Sequence, residues 1–337
     1  MAFRSARPVG IAVVAALLSL TSACSGTSGA TPTPSASVSA SPSVSATPSP
    51  SETITPAPVV NNLDGIKVAG TFNTDATVTI TSPMAIDQTR STVLTAGTGA
   101  AVSDTAIVKV QYTGVNGRTM QVFDSSFGKS GAIELSLAGG VVAGFTKGLA
   151  GKNIGDRVLI AMPGADGYDS AQTLPTGIAK GDTLVFVVDI IDAQLSGPSG
   201  TPVAIPAGLP QVTDVNGKPS ITIPAGATPP TTLVSQVVIQ GSGAKVAAAN
   251  YVLTHYVGYS WKTGKVVDDH FAEVDIDKLA NSIDGFKTGL VDKAVGSRVL
   301  LVIPPADSWP NGNTNPVVEK GDTVVYVVDL LYTSAGQ

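Results

Sequence analysis

Two stretches decide how this chain is built: Ile154-Gly155-Asp156-Arg157-Val158-Leu159 and Val295-Gly296-Ser297-Arg298-Val299-Leu300. They are one pattern written twice, about 140 residues apart, and their surroundings repeat with them. Gln111-Tyr112-Thr113-Gly114 is echoed by His255-Tyr256-Val257-Gly258, and Val142-Ala143-Gly144-Phe145 by Ile283-Asp284-Gly285-Phe286. Lys180-Gly181-Asp182-Thr183 returns as Lys320-Gly321-Asp322-Thr323, and the lead-in Thr77-Val78-Thr79-Ile80 as Ser220-Ile221-Thr222-Ile223. A period this long exceeds that of solenoid repeats, so the repeating unit is a whole domain. The turn-forming run Ser196-Gly197-Pro198-Ser199-Gly200 marks the boundary. The expected organisation is copy one over 59–195, a linker over 196–206 and copy two over 207–337.

Within each copy the apolar period is mostly two. Val108, Val110 and Tyr112 alternate with Lys109 and Gln111, and Leu184, Phe186, Val188 and Ile190 alternate in the same way, as strands do. The exception is a spacing of three and seven. Val142, Phe145 and Leu149, like Ile283, Phe286 and Leu290, would line one face of a short helix. Gly 36 and Pro 23, with abundant Val and Thr, favour strands and turns elsewhere. The fold class that follows is α+β: two copies of an antiparallel sheet with one short helix on one face, each with an N-terminal β extension.

The N-terminus has a different purpose. Arg4 and Arg7 precede an apolar run from Val9 to Leu20, which is followed by Thr21-Ser22-Ala23. A basic start, a short apolar stretch and small residues predict a cleaved signal peptide over 1–23. The run is too short for a comfortable membrane span, and the separated arginines do not make a twin-arginine signal. Leu20-Thr21-Ser22-Ala23-Cys24 resembles a bacterial lipobox, with Thr21 where an aliphatic residue is commoner. That resemblance implies a lipidated Cys24 and an extracytoplasmic lipoprotein anchored to membrane lipid in the cell envelope. Cys24 is the sole cysteine, so one chain can build no disulfide, zinc site or catalytic thiol in its folded part. Residues 24–58, rich in Ser, Thr, Pro and Ala, cannot bury a core and are expected to form a disordered, partly extended stalk. About 280 residues remain, enough for two domains. A net charge of −5, only 13% charged residues and no basic patch argue against nucleic acid as a partner.

The order of landmarks resembles FKBP-type peptidyl-prolyl isomerases. Tyr112-Thr113-Gly114 resembles the first-strand signature, and Phe123-Asp124-Ser125-Ser126 the Phe-Asp-Ser-Ser motif. Val141-Val142-Ala143-Gly144-Phe145 resembles the entry to the helix. Gly155-Asp156-Arg157-Val158-Leu159-Ile160 with Pro163, then Gly181 to Ile190, resemble the closing strands. The resemblance covers about 107–191 and 250–332, leaving 59–106 and 201–249 outside the ordinary pattern. It implies an apolar pocket made by Tyr112, Phe123, Asp124, Ile133, Val141, Val142, Phe145, Tyr168, Ile178 and Phe186. It also implies proline-containing exported polypeptides as substrates, the family's macrolide inhibitors as ligands, and no cofactor or metal. Its implied roles are a proline ring gripped by Phe123, Phe145 and Phe186, substrate carbonyls met by the Val142 N–H and the Tyr168 hydroxyl, and electrostatic orientation by Asp124. Phe145 replaces the usual tryptophan and Tyr168-Asp169 the usual Tyr-Gly, changes expected to weaken macrolide binding.

The second-copy equivalents are Tyr256, Val267, Asp268, Ile283, Phe286, Trp309, Val318 and Tyr326. Here Val267-Asp268-Asp269 stands for Phe-Asp-Ser, Trp309-Pro310 for Tyr-Gly, and Tyr326 for phenylalanine. Loss of a phenyl wall and a more polar floor predict weak or no isomerase activity, with chain binding retained. A non-catalytic peptide-holding module is the competing reading, and a pair of structural β-domains with dispersed aromatics is a third. Other chemistries fall away. His255 reads as a packed or hydrogen-bonded strand histidine, and a Ser-His-Asp triad would have no counterpart in copy one. Gly128-Lys129-Ser130 lacks the upstream glycine of a P-loop, since Phe123 occupies that position. Asp166, Asp169 and Asp307 lack calcium-loop spacing and read as solvated loop charges.

Overall fold

The computed structural model describes residues 57–336 apart from Ser130 and Asn216. The expected signal peptide, Cys24 and the expected stalk up to residue 56 lie outside the described residues. From Pro58 onward the chain forms one compact unit.

Copy one is an antiparallel sheet in the order Arg90–Thr95, Arg157–Met162, Leu184–Ala193, Ile107–Asn116. Its far edge is shared by two short strands, Val122–Ser125 and Ile133–Ser136, both paired to Ile107–Asn116. Copy two repeats this as Val234–Gly241, Arg298–Ile303, Val324–Ser334, Tyr251–Ser260. Its far edge is a single 13-residue strand, Val266–Lys278.

One helix lies on each sheet, α1 at Ala143–Leu149 and α2 at Asp284–Leu290, entered from extended Val142 and Ile283. The glycines at i and i+4 explain how so short a helix can anchor a site. A Cβ on Gly144 would sit 2.3 Å from Met162 Sδ, and one on Gly148 2.6 Å from Ile160 Cδ1. Gly285 and Gly289 meet Ile303 and Leu301 in the same way. Without side chains there, the helix backbone rests on the sheet and drives Phe145 and Leu149 into the core.

The N-terminal extensions cover the opposite face. In copy one the hairpin Ile66–Ala69 with Thr77–Ile80 joins Met84 and Ile86 in packing on Val115, Leu159, Ala161, Val185 and Val187. In copy two the hairpin Gln211–Val215 with Lys218–Thr222 helps cover Val257, Leu300, Val302, Val325 and Val327. Both faces of each central sheet are therefore buried. This changes the alternating reading of Leu184–Ile190: Val185 and Val187 are 0% and 1% exposed, as buried as their neighbours. Full burial of each such aliphatic side chain contributes about 1.5–3 kcal/mol.

A buried ion pair secures that layer. Arg157 Nε and Nη2 each donate to Asp189 at 2.7 Å, Nη2 also donates to the hairpin carbonyl of Thr74, and the Asn73 N–H donates to Asp189. Copy two repeats it with Arg298 on Asp329, and adds Asp214 of its own hairpin at 2.6 Å. The stretch expected to be a linker is instead strapped along copy two. Leu195 N–H donates to Leu331 O, Ser199 N–H donates to Gly296 O, and Gly200–Pro202 pairs with Val234–Gly241. Ile107 packs on Leu253, Leu331 and Tyr332, and Ser334 Oγ donates to Glu134, so the two copies touch directly.

Candidate functional site

In copy one the aromatic side chains converge. Phe186, from the central strand, is 1% exposed, and its ring centroid lies 4.8 Å from that of Phe145 on α1. Phe123 meets Phe186 edge-on at 5.5 Å, and Tyr112 does so at 5.9 Å. Half-buried Tyr112, Phe123, Ile133, Val141, Val142, Tyr168 and Ile178 pack around this floor. All nine apolar residues expected in the site thus belong to one cluster, and Asp124 joins it by accepting a hydrogen bond from the Tyr112 hydroxyl. The dispersed arrangement required by the purely structural reading is not what the chain adopts.

Local sequence explains the convergence. A Cβ at Gly114 would lie 2.8 Å from the Phe186 ring and 2.9 Å from that of Phe123, so only glycine leaves room for both rings over this strand. The Ser126 hydroxyl accepts from the Tyr112 N–H and donates to Gln111 Oε1, while the Ser126 N–H donates to Tyr112 O. These bonds pin the Phe-Asp-Ser-Ser segment to the first strand and set Phe123 and Asp124 beside Tyr112. Among the described residues the Val142 N–H and the Tyr168 hydroxyl donate to no protein acceptor.

Asp124 is held as a carboxylate. Burial pushes its pKa up, but hydrogen bonds from Lys129 at 2.6 Å, from Tyr112 and from the Ser125 N–H outweigh this and keep it low. Burial, then Asp124, pushes the Tyr112 hydroxyl well above the usual phenol range, so it remains a donor. Lys129 was read only as part of a rejected P-loop, and no sequence signal tied it to Asp124. Asp166 and Asp169 are also corrected. Asp166 accepts from Lys147 and Thr89, and Asp169 from the Gly181 N–H, so both brace the loop that carries Tyr168.

Copy two holds a cleft of about 200 Å³. Tyr256, Asp268, Ile283, Phe286, Trp309 and Tyr326 line it, joined by Val252, Thr254, Asp275, Asp277, Ser282 and Pro316. Phe286 and Tyr326 meet edge-to-face at 5.0 Å, with Tyr256 at 5.8 Å from each. Two expected residues are not in the lining: Val267 packs on the core beside it, and Val318 is 4% exposed within the core. Both valines are shorter than Phe123 and Ile178, which pack on the aromatic cluster of copy one. Tyr326 now donates to Asp268 at 3.1 Å, and His270 lies 3.4 Å from the same carboxylate. His255 stacks near Phe271 at 5.3 Å on the far edge strand, a packed position as expected.

The site in copy one is thus a buried aromatic floor with a backbone and a hydroxyl donor beside it. A model of the FKBP-type peptidyl-prolyl cis-trans isomerase family matches residues 99–191 and again 243–331. The chain belongs to this family, with two tandem copies of its domain. An FK506-binding protein of Streptomyces anulatus is 31% identical over 96 residues, 28% of this chain and 77% of that protein. A peptidyl-prolyl cis-trans isomerase of Saccharomyces cerevisiae is 33% identical over 88 residues, 26% of this chain and 64% of that protein. The solved structure of the three FKBP domains of wheat FKBP73 aligns over 73% of this chain and 95% of that one, at 16% identity and a TM-score of 0.31.

Proposed function

We propose that copy one catalyses cis-trans isomerisation of X-Pro bonds in exported proteins, at a site that carries no covalent chemistry. Twisting an amide out of plane destroys its resonance, at a barrier of roughly 18–20 kcal/mol. The twisted amide is less conjugated and less polar than the planar one. A dry aromatic floor therefore favours the transition state over the ground state, the condition for catalysis. Phe123, Phe145 and Phe186 grip the proline ring, while the Val142 N–H and Tyr168 hydroxyl hold the flanking carbonyls. Asp124, kept charged, orients the twisting dipole. The observation that carries this reading is the packing of Phe123 and Phe145 on the same Phe186 ring, 5.5 and 4.8 Å away.

A protease-coupled isomerisation assay tests it. Phe123→Ala removes about 2 kcal/mol of contact with the twisted amide and should lower kcat/KM roughly 30-fold; unchanged kcat/KM would overturn the assignment. The competing reading, a chaperone that holds proline segments without turnover, predicts peptide binding with no rate enhancement in the same assay. The family's macrolides are proposed ligands of this pocket, weakened by Phe145.

The proposed location is the outer face of the membrane, reached through a lipidated Cys24 and the stalk. The lipobox-like Leu20 to Cys24 motivates this. In a bacterial host, Cys24→Ala should move the protein from the membrane fraction to the soluble fraction; a wild-type protein already soluble refutes the tether.

A further inference from the structure

The register of the two sheets shows where the second cleft acquired its chemistry. Tyr112 pairs with Val188 and Tyr256 with Val328, which aligns Val110 with Thr254 and Val108 with Val252. Across the edge, copy one sets Ile133 opposite Val110 and Leu135 opposite Val108. Copy two sets Asp275 opposite Thr254 and Asp277 opposite Val252. Two apolar wall residues have therefore become aspartates, and both line the cleft with Asp268.

The carboxylates are not balanced. In copy one Lys129 pairs with Asp124. In copy two, among the described residues, no lysine or arginine pairs with Asp268, Asp275 or Asp277; His270 beside Asp268 is their nearest cationic candidate. Burial is the largest influence on Asp268 and Asp275 and pushes both upward, beyond what the Tyr326 hydroxyl and His270 offset at Asp268. Nor do they converge on a metal ion: among the described residues no group of three such ligands is close enough to hold one. The floor between them is aromatic, with Tyr256, Phe286, Trp309 and Tyr326.

We infer that the copy-two cleft selects proline-bearing segments that carry a lysine or arginine two residues from the proline, with Asp275 and Asp277 as the specificity-determining residues. The inference rests on the reading that this cleft, like its family counterpart, takes a peptide. The apolar floor receives the proline and its neighbour. The three carboxylates attract the cation, and Trp309 lines the same cleft as an aromatic partner for it. The same wall repels an acidic segment, so discrimination combines attraction and rejection. Copy one, with Ile133 and Leu135 in those positions, has no such preference.

The chain carries its own reporter. Trp309 lines the cleft, whereas Trp261, the only other tryptophan, is 8% exposed and packs against the opposite face. The two indole N–H resonances of the full chain can be followed while adding acetylated hexapeptides Ala-Lys-Leu-Pro-Phe-Ala or Ala-Leu-Pro-Phe-Lys-Ala, or their glutamine and glutamate analogues. Trp309 should shift with a lysine peptide at about tenfold or more lower Kd than with its glutamate analogue, and the gap should narrow at 0.5 M salt. Asp275→Asn with Asp277→Asn should remove the preference while leaving the glutamine peptide bound. Equal Kd for lysine and glutamate peptides overturns the charge selectivity but leaves peptide binding standing. No Trp309 response to any of the peptides overturns the binding reading itself, and the selectivity with it.

Discussion

The two copies share a scaffold and differ in the edge that faces the ligand. Both lay a glycine-faced helix on a sheet whose other side is roofed by a hairpin, and both fix that roof with a buried arginine–aspartate pair. The scaffold explains why the aromatic triangle survives in each, as Tyr112, Phe145 and Phe186 or as Tyr256, Phe286 and Tyr326. On the edge strands the chemistry parts. Copy one has a phenyl wall at Phe123 and a carboxylate neutralised by Lys129. Copy two has Val267 in place of that wall, a phenol on the floor and three carboxylates around the mouth. Burial of the core constrains the floor, whereas an edge strand changes without disturbing it. A duplicated domain can thus keep its fold and diverge in what it accepts.

The largest effect expected from breaking this difference comes from restoring the missing wall. Val267→Phe with Tyr326→Phe returns the apolar floor and the phenyl that grips proline. Placed in a Phe123→Ala chain, where copy one is silenced, the pair should raise kcat/KM at least about tenfold in the protease-coupled assay, a gain of roughly 1.4 kcal/mol in transition-state binding. No gain would mean that the carboxylates, not the lost phenyl, set the activity of copy two.

A smaller effect sharpens the electrostatic half of the comparison. Asp124 is held below the usual aspartate range, with burial opposed and outweighed by Lys129 and Tyr112. Asp268 is held above it, chiefly by burial. In a carboxyl-carbon NMR titration Asp268 should therefore take up its proton at a higher pH than Asp124. The signs for stability are opposite. Asp124 contributes stability above its unfolded pKa of about 3.9, lost as pH falls through its lower folded value. The strain of an ionised Asp268 is present at neutral pH and relieved as pH falls through its raised folded value. Titration in the reverse order would contradict the contrast between a lysine-paired carboxylate and one without a lysine or arginine partner.

Much of this was legible from residues alone. The repeat and the antiparallel sheet with one helix per copy follow from motif order and period, and the ten candidate positions in copy one follow from the family resemblance. Those signals are local: motifs in a fixed order, a helix face at spacing three and seven, a strand of alternating pattern. What they could not carry was the second layer. Val185 and Val187 are as apolar as Phe186 and Val188, and a short apolar run is read equally well as one buried face or two. Only the docked hairpin shows that both faces are covered. Lys129 and Asp124, five residues apart across a loop, form their pair through loop geometry that no periodicity encodes.

By itself the sequence determined the duplication, the fold class, the family and the aromatic floor, because each rests on residue types at fixed local spacing. The tertiary structure alone decided that the extensions roof the sheets, that the boundary segment is strapped to copy two, and that Asp275 and Asp277 stand where Ile133 and Leu135 stand in copy one. The physical reason is register. Which side chain faces a cleft depends on how two strands align, and a shift of one residue turns every side chain to the other face.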